Sequence, residues 1–363
     1  MDSSQFFGIS SIAYILAMVT YIAYLVFRNS TVGLVATTIT AVGFVSQTLA
    51  FFMRGKEFYD LAQLGSILRA IPLTNLYESL VFFVWCIILG YLLIEWKYKN
   101  RSFGAFITPI AGMVLAFIDI SGMDKNIHPL IPALQSNWLL AHVTMSFLAY
   151  AAFAISFATA IMFLAVSSED EKKWPYITWT VTLGVFVAVL IAMGIDFLVF
   201  KVGAHSTESL VKSHLFKASF RNSSLPVVLF SYLSLAGFVF GVWKYGKVLK
   251  KIIGSFDISQ DMLDDLVYKT IAVGFPVFTL GGLIFGAIWA DQAWGKYWSW
   301  DPKETWSLIT WFVYAFFLHA RFLKGWRGDK IAAVSVLGFV STIFTYLGVN
   351  LLLSGLHSYG GGG

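Results

Sequence analysis

Long apolar runs and short polar connections alternate from one end of this chain to the other. Runs rich in Leu, Ile, Val, Phe, Ala and Gly lie near residues 9–27, 33–53, 75–94, 104–119, 139–166, 177–200, 226–243, 270–289, 306–322 and 331–353. A membrane-spanning helix needs about 20 such residues. None of the runs shows the sustained period-2 alternation of a membrane barrel. The pattern predicts an all-α polytopic integral membrane protein of about ten transmembrane helices, within a range of eight to ten. The fourth and ninth runs are short and the fifth is long. No soluble domain fits in the connections, the longest of which are about 25 residues. We therefore expect a single polytopic domain over 1–359, with an outer loop at about 289–305 and a flexible glycine tail at 360–363.

Composition agrees. Of 363 residues, 58% are hydrophobic and 12% charged, whereas soluble domains carry about 25% charged residues. A single cysteine, Cys86, excludes a disulfide framework. The first run lacks a positively charged flank and a small-residue cleavage site, so it reads as a retained helix. Dense basic clusters at Lys97, Lys99 and Arg101, at Lys244, Lys247, Lys250 and Lys251, and at Arg321, Lys324, Arg327 and Lys330 fall on one side of a ten-helix arrangement. The positive-inside bias makes that side cytoplasmic and puts both termini outside. The outer loop 201–225, with Lys201, Lys212, Lys217 and Arg221, departs from that bias or binds an anionic group. A lipid bilayer is the first implied partner, and no nucleic-acid partner is expected.

One stretch does not suit a plain membrane span. Six of the thirteen tryptophans lie between Trp289 and Trp311, interleaved with Gly295, Lys296, Asp301, Pro302, Lys303 and Glu304. An interfacial aromatic belt needs no such polar loop. A flat aromatic shelf with polar punctuation suits a large planar apolar ligand. His142 begins the fifth run on the outer side and His357 follows the outer end of the tenth. Two such imidazoles could hold a metal from opposite sides, and haem iron meets both requirements. His128, His205 and His214 fall in outer loops. His319 lies within the ninth run, 13 residues after Trp306, or about 20 Å below the outer surface. It is either a neutral imidazole bonded to a neighbouring helix or an axial ligand whose mate comes from another subunit.

The segment WADQAWGKYWSWDPKETWSLITWFVYAFFLHAR resembles the tryptophan-rich WWD signature of haem-handling membrane proteins. With LQSNWLLAHVTMSFLAYAAF at 134–153, NLYESLVFFVW at 75–85, LDDLVYKTIAVGFPVFTLGGLIFGAIWA at 263–290 and LHSYG at 356–360, the likeness narrows to the CcsA (ResC) family of system II cytochrome c synthase subunits. It covers most of the chain. Compact family members lack the two extra runs at about 177–243.

The resemblance implies a role in c-type cytochrome biogenesis. Haem b, as substrate and ligand, would be translocated and presented on the outer face for thioether attachment to apocytochrome CXXCH motifs, as by a haem lyase (synthase) subunit. It implies His142 and His357 as the outer haem ligands, catalytic in that they hold iron during attachment. His319 corresponds to a membrane-embedded histidine paired with one from a CcsB/ResB-type subunit. Trp294, Tyr297, Trp298, Trp300 and Asp301 correspond to the WWD loop that covers haem. Apocytochrome c and thiol-reducing thioredoxin-like proteins are the other implied partners. The implied location is the bacterial cytoplasmic membrane, with the thylakoid as alternative. Two rival readings are a haem exporter without attachment activity and a structural subunit whose tryptophans dock a protein. Asp301 either fixes the loop through N–H bonds or touches haem. Lys296 and Lys303 either neutralise propionates or are simply solvated. Asn75 and Glu78 read as a helix cap.

Overall fold

The computed structural model describes residues 2–62, 71–73, 75–120, 123, 125–127, 136–203, 225–256 and 258–353. Every predicted run becomes a helix: α1 (Ser3–Phe27), α2 (Ser30–Ala62), α3 (Leu76–Tyr98), α4 (Gly104–Ile120), α5 (Asn137–Ser167), α6 (Trp174–Gly203), α7 (Leu225–Ile253), α8 (Gln260–Trp294), α9 (Pro302–Leu323) and α10 (329–352). Among the described residues, eight of these are long and apolar enough to cross a membrane, and no strand occurs. The other two, α6 and α7, pack on each other as a hairpin that corresponds to the extra region 177–243. That hairpin is tied down at one end, where Tyr176 donates to the Trp243 carbonyl at 2.7 Å and the buried Trp179 indole donates to Ser168 at 3.1 Å.

The central element is α5, packed against α3, α4, α6, α8 and α10. Its wholly buried face carries Ala149, Ala151, Ala154, Ala158 and Ala160. Lipid offers no hydrophobic drive for helices to associate, so small residues that let backbones approach closely are the natural packing device. The larger rings fill what remains; Phe153 stacks on Tyr314 of α9 with centroids 3.7 Å apart.

Polar contacts sort the helix ends into two groups. At one end, Ser3 meets Glu57, the Arg54 guanidinium donates to the Lys125 carbonyl, and Ser136 meets Gln292. This end also holds loop 295–301, and both Asp2 and Leu353 lie there. At the other end, Glu95 accepts from Tyr91 at 2.5 Å and Thr37 at 2.7 Å and pairs with Arg101. Arg321 pairs there with Asp264 at 2.7 Å. The basic clusters of the sequence sit at this second end.

Boundaries differ from the apolar runs where a polar residue finds a buried partner. The second run stops at 53, yet α2 continues to Ala62 because Arg54 is neutralised inside the bundle by Glu78 at 2.6 Å. Asn75 caps α3 by accepting from the Glu78 N–H at 2.8 Å, as the sequence suggests. The tryptophan loop is also shorter than 289–305. Trp289 and Trp294 belong to α8, Pro302 begins α9, and only 295–301 is irregular.

Candidate functional site

The site is built where α5, α8, α9 and α10 meet at the loop end. Ser136 caps α5, accepting from the Trp138 N–H at 3.2 Å, while its hydroxyl donates to Gln292 at 2.7 Å. That tie places the first turns of α5, with His142, beside the last turns of α8. Within α8 the residues Thr279–Phe285 form a π-helical segment. Such widened turns recur at functional sites because they shift the carbonyl register. Here the Gly281 carbonyl accepts from Nδ1 of His142 at 2.7 Å. A carbonyl can only accept, so Nδ1 carries a proton, and in the neutral form of the ring the lone pair is on Nε2. Metal-binding histidines are oriented by this kind of bond.

Two glycines make the contact possible. A Cβ on Gly281 would lie 2.3 Å from the Met145 Cβ and 3.1 Å from α5 backbone atoms. One on Gly286 would lie 2.9 Å from the His142 ring. The Trp289 ring lies nearly parallel to the imidazole at 12°, with centroids 6.1 Å apart.

Loop 295–301 turns on Gly295, whose φ of +71° ends α8 in the left-handed region. Asp301 caps α9, accepting from the Lys303 N–H at 2.9 Å. Glu304, buried in the first turn of α9, accepts from the Ser299 N–H at 2.7 Å and from its hydroxyl at 3.2 Å. These bonds hold Trp300 at φ +60°, an uncommon conformation for a bulky residue and one that local structure must enforce. The result is not a flat shelf. Trp289 and Trp294 meet at 63°, and Trp298 and Trp300 at 87°. Tyr297 and Trp300 are 60% and 69% exposed, so these two rings offer free faces.

Beneath the loop lies a cavity of about 100 Å³ lined by His142, Tyr297, Trp298, Lys303, Glu304 and Tyr346, among others. Tyr346 comes from a second π-helical segment, Phe344–Gly348, so both widened turns border this space. Phe147, Tyr150 and Tyr346 separate it from a larger apolar cavity of about 410 Å³ among α3, α4, α5, α6 and α10.

The structure thus brings together His142, Tyr297 and Trp298, with Trp294, Trp300 and Asp301 on the adjoining helix ends and loop. His357 lies outside the described residues, as do His128, His205, His214 and the glycine tail. His319 is elsewhere. It sits one turn before the end of α9, on an exposed face with Ile309, Phe312, Phe316 and Leu323 at helical spacing. That is about 25 Å along α9 from the loop, close to the basic end rather than mid-span. Asp301 accepts a backbone N–H bond, the kind of contact that one of its two readings expected. Lys303 is not a solvated loop lysine: its Nζ donates to Asn350 at 3.0 Å and lies over the Tyr346 ring. Glu304, Tyr346 and the two α8 glycines were missed as site residues. The adjacent Gly281 and Gly282 inside an apolar run were the available signal.

The family model for cytochrome C assembly proteins matches residues 73–357. A protein from Gloeobacter violaceus named cytochrome c biogenesis protein CcsA is 39% identical over 294 residues, covering 80% of this chain and 78% of its own length. Its namesake from Trieres chinensis is 35% identical over 319 residues, 87% and 84% of the two chains. That from Marchantia polymorpha is 35% identical over 292 residues, 80% and 78% of the two. With a helical membrane-spanning fold and matches over most of its length, the chain belongs to the cytochrome c assembly protein family.

Proposed function

We propose that this protein holds haem b as a substrate at the loop end and presents it for attachment to apocytochrome c. Family membership supports work in c-type cytochrome biogenesis; the attachment step, the ligands and the partners are our reading. The observation that carries it is the His142–Gly281 bond, which orients an imidazole at a cavity walled by the tryptophan loop. His142 would ligate the iron, and His357, outside the described residues, would supply the second imidazole that the family resemblance implies. The cavity is too small for a macrocycle, so the ring would lie at its mouth, against the exposed faces of Tyr297 and Trp300, with Trp294, Trp298 and Asp301 shaping the support.

Attachment adds each cysteine S–H of a CXXCH motif across one vinyl C=C, sulfur to the carbon next to the ring and hydrogen to the terminal carbon. Nothing leaves and no oxidant is consumed, but the thiols must be reduced, which calls for thioredoxin-like donors. Positioning is the main task of the protein in such a step. The exposed face of α9 carries an imidazole among apolar side chains. That exposed apolar row, on a helix of membrane-spanning length, supports a CcsB/ResB-type subunit covering the face and pairing a second imidazole with His319. The membrane is the bacterial cytoplasmic membrane or the thylakoid.

The test is the visible spectrum of the protein copurified with its partner. A bis-imidazole haem spectrum that loses its outer-site share when His142 and His357 are both replaced, with loss of cytochrome c maturation, is the expected result. Unchanged haem content and maturation in that double variant refute the assignment. Attachment of haem to a CXXCH peptide by the purified complex separates a synthase from an exporter.

A further inference from the structure

The geometry points to a carboxylate-binding subsite inside the His142 cavity, formed by Lys303 and Trp298, that takes one haem propionate and so fixes the rotation of the ring. It rests on the haem reading of this cavity. Among the described residues, Lys303 is the one lysine or arginine in the cavity wall. Its ammonium has three N–H donors, yet among the described residues its hydrogen-bond partner is Asn350, a neutral acceptor 3.0 Å away, with the Tyr346 ring 5.6 Å to one side. Among the described residues, the one carboxylate in the wall, Glu304, is turned to Ser299 through both oxygens. No ion pair is formed between the two.

A second donor shares the wall. The Trp298 indole N–H is buried and has no hydrogen-bond partner among the described residues. Buried polar groups are normally satisfied, and an under-coordinated cation beside an orphan N–H fits a carboxylate through charge-assisted bonds. The size agrees. About 100 Å³ accommodates a propionate arm with a few waters but not the macrocycle. In protoporphyrin the two propionates occupy one edge and the vinyl groups lie away from it. Seating a propionate under the loop therefore turns the vinyl-bearing side outward, toward an incoming CXXCH motif.

The experiment titrates haem-depleted full-length protein, in detergent with its copurified partner, with iron protoporphyrin IX and with its dimethyl ester, read by the His142-dependent Soret band. Wild type is expected to prefer the diacid by about 10-fold or more, the range of a hydrogen bond to a charged group. Lys303→Met is expected to lose that preference while still binding the diester with the wild-type spectrum. Trp298→Phe is expected to lower the preference by a smaller factor, and Lys303→Arg to retain part of it. An unchanged diacid-to-diester ratio in Lys303→Met overturns the subsite. If that variant binds neither porphyrin, unchanged ratios in both Trp298→Phe and Lys303→Arg overturn it, and lowered ratios support it. A wild-type protein with no His142-dependent signal for either porphyrin instead refutes the haem reading itself.

Discussion

Nδ1 of His142 on α5 lies 2.7 Å from the carbonyl oxygen of Gly281 on α8. Two elements that are distant in sequence meet there, and three local features make it possible: a π-helical turn, a glycine at the contact, and a second glycine under the ring. The bond decides which imidazole nitrogen bears the lone pair.

Gly286→Val should therefore act through His142 without touching any ligand. Its Cβ alone would press to 2.9 Å from the ring. Loss of a residue that orients a metal-binding histidine typically lowers affinity by 10–100-fold. We expect a drop of about that size in haem affinity, with helical content by circular dichroism unchanged. Wild-type affinity in this variant would show that the ring's orientation is not what the site uses.

Separate replacement of His142 and His319 should remove different haem populations. About 25 Å of α9 lies between the loop and His319. His142→Ala should abolish maturation while haem remains bound near the basic end of the complex. His319→Ala should instead lower total haem supply and leave a residual bis-imidazole signal when haem is added from outside. Identical spectra from the two variants would contradict two sites.

Asp301→Asn and Asp301→Ala distinguish capping from direct contact with haem. Asn is as good an N-cap as Asp, whereas Ala costs about 0.5–2 kcal/mol. Asp301 accepts from the Lys303 N–H. Maturation in cells should survive Asn and fall with Ala. Equal loss in both variants would mean that the charge itself is required.

Arg54→Met tests the buried ion pair that extends α2. The side chains of Arg54 and Glu78 are 2% and 1% exposed. Removing one partner of such a pair destabilises by about 3–5 kcal/mol, while replacing both by apolar groups is often neutral. The detergent-solubilised single variant should unfold at lower temperature, and Arg54→Met with Glu78→Leu should recover most of the loss. A double variant no better than the single would assign the stability to other contacts of these residues.

Much of this architecture was already present in the linear pattern. Apolar runs of bilayer length can satisfy their backbone only as helices, so the all-helical architecture and the order of its helices followed from the amino acids alone. The concentration of tryptophan around Gly295 and Pro302 marked the loop, and the Asn75 and Asp301 caps are local contacts readable at a spacing of two or three residues. What the chain could not disclose is where one helix touches another at close range. Arg54 ended an apolar run on paper because its partner, Glu78, is reached only in the folded bundle. Lys303 looked solvated because nothing nearby in sequence names Asn350 and Tyr346 as its neighbours. The angles between the indoles, the exposed face around His319 and the Gly281 carbonyl turned to His142 arise from packing between helices far apart in sequence. Helix formation is governed by neighbours along the chain, whereas the site depends on side-chain directions set by close helix–helix contact.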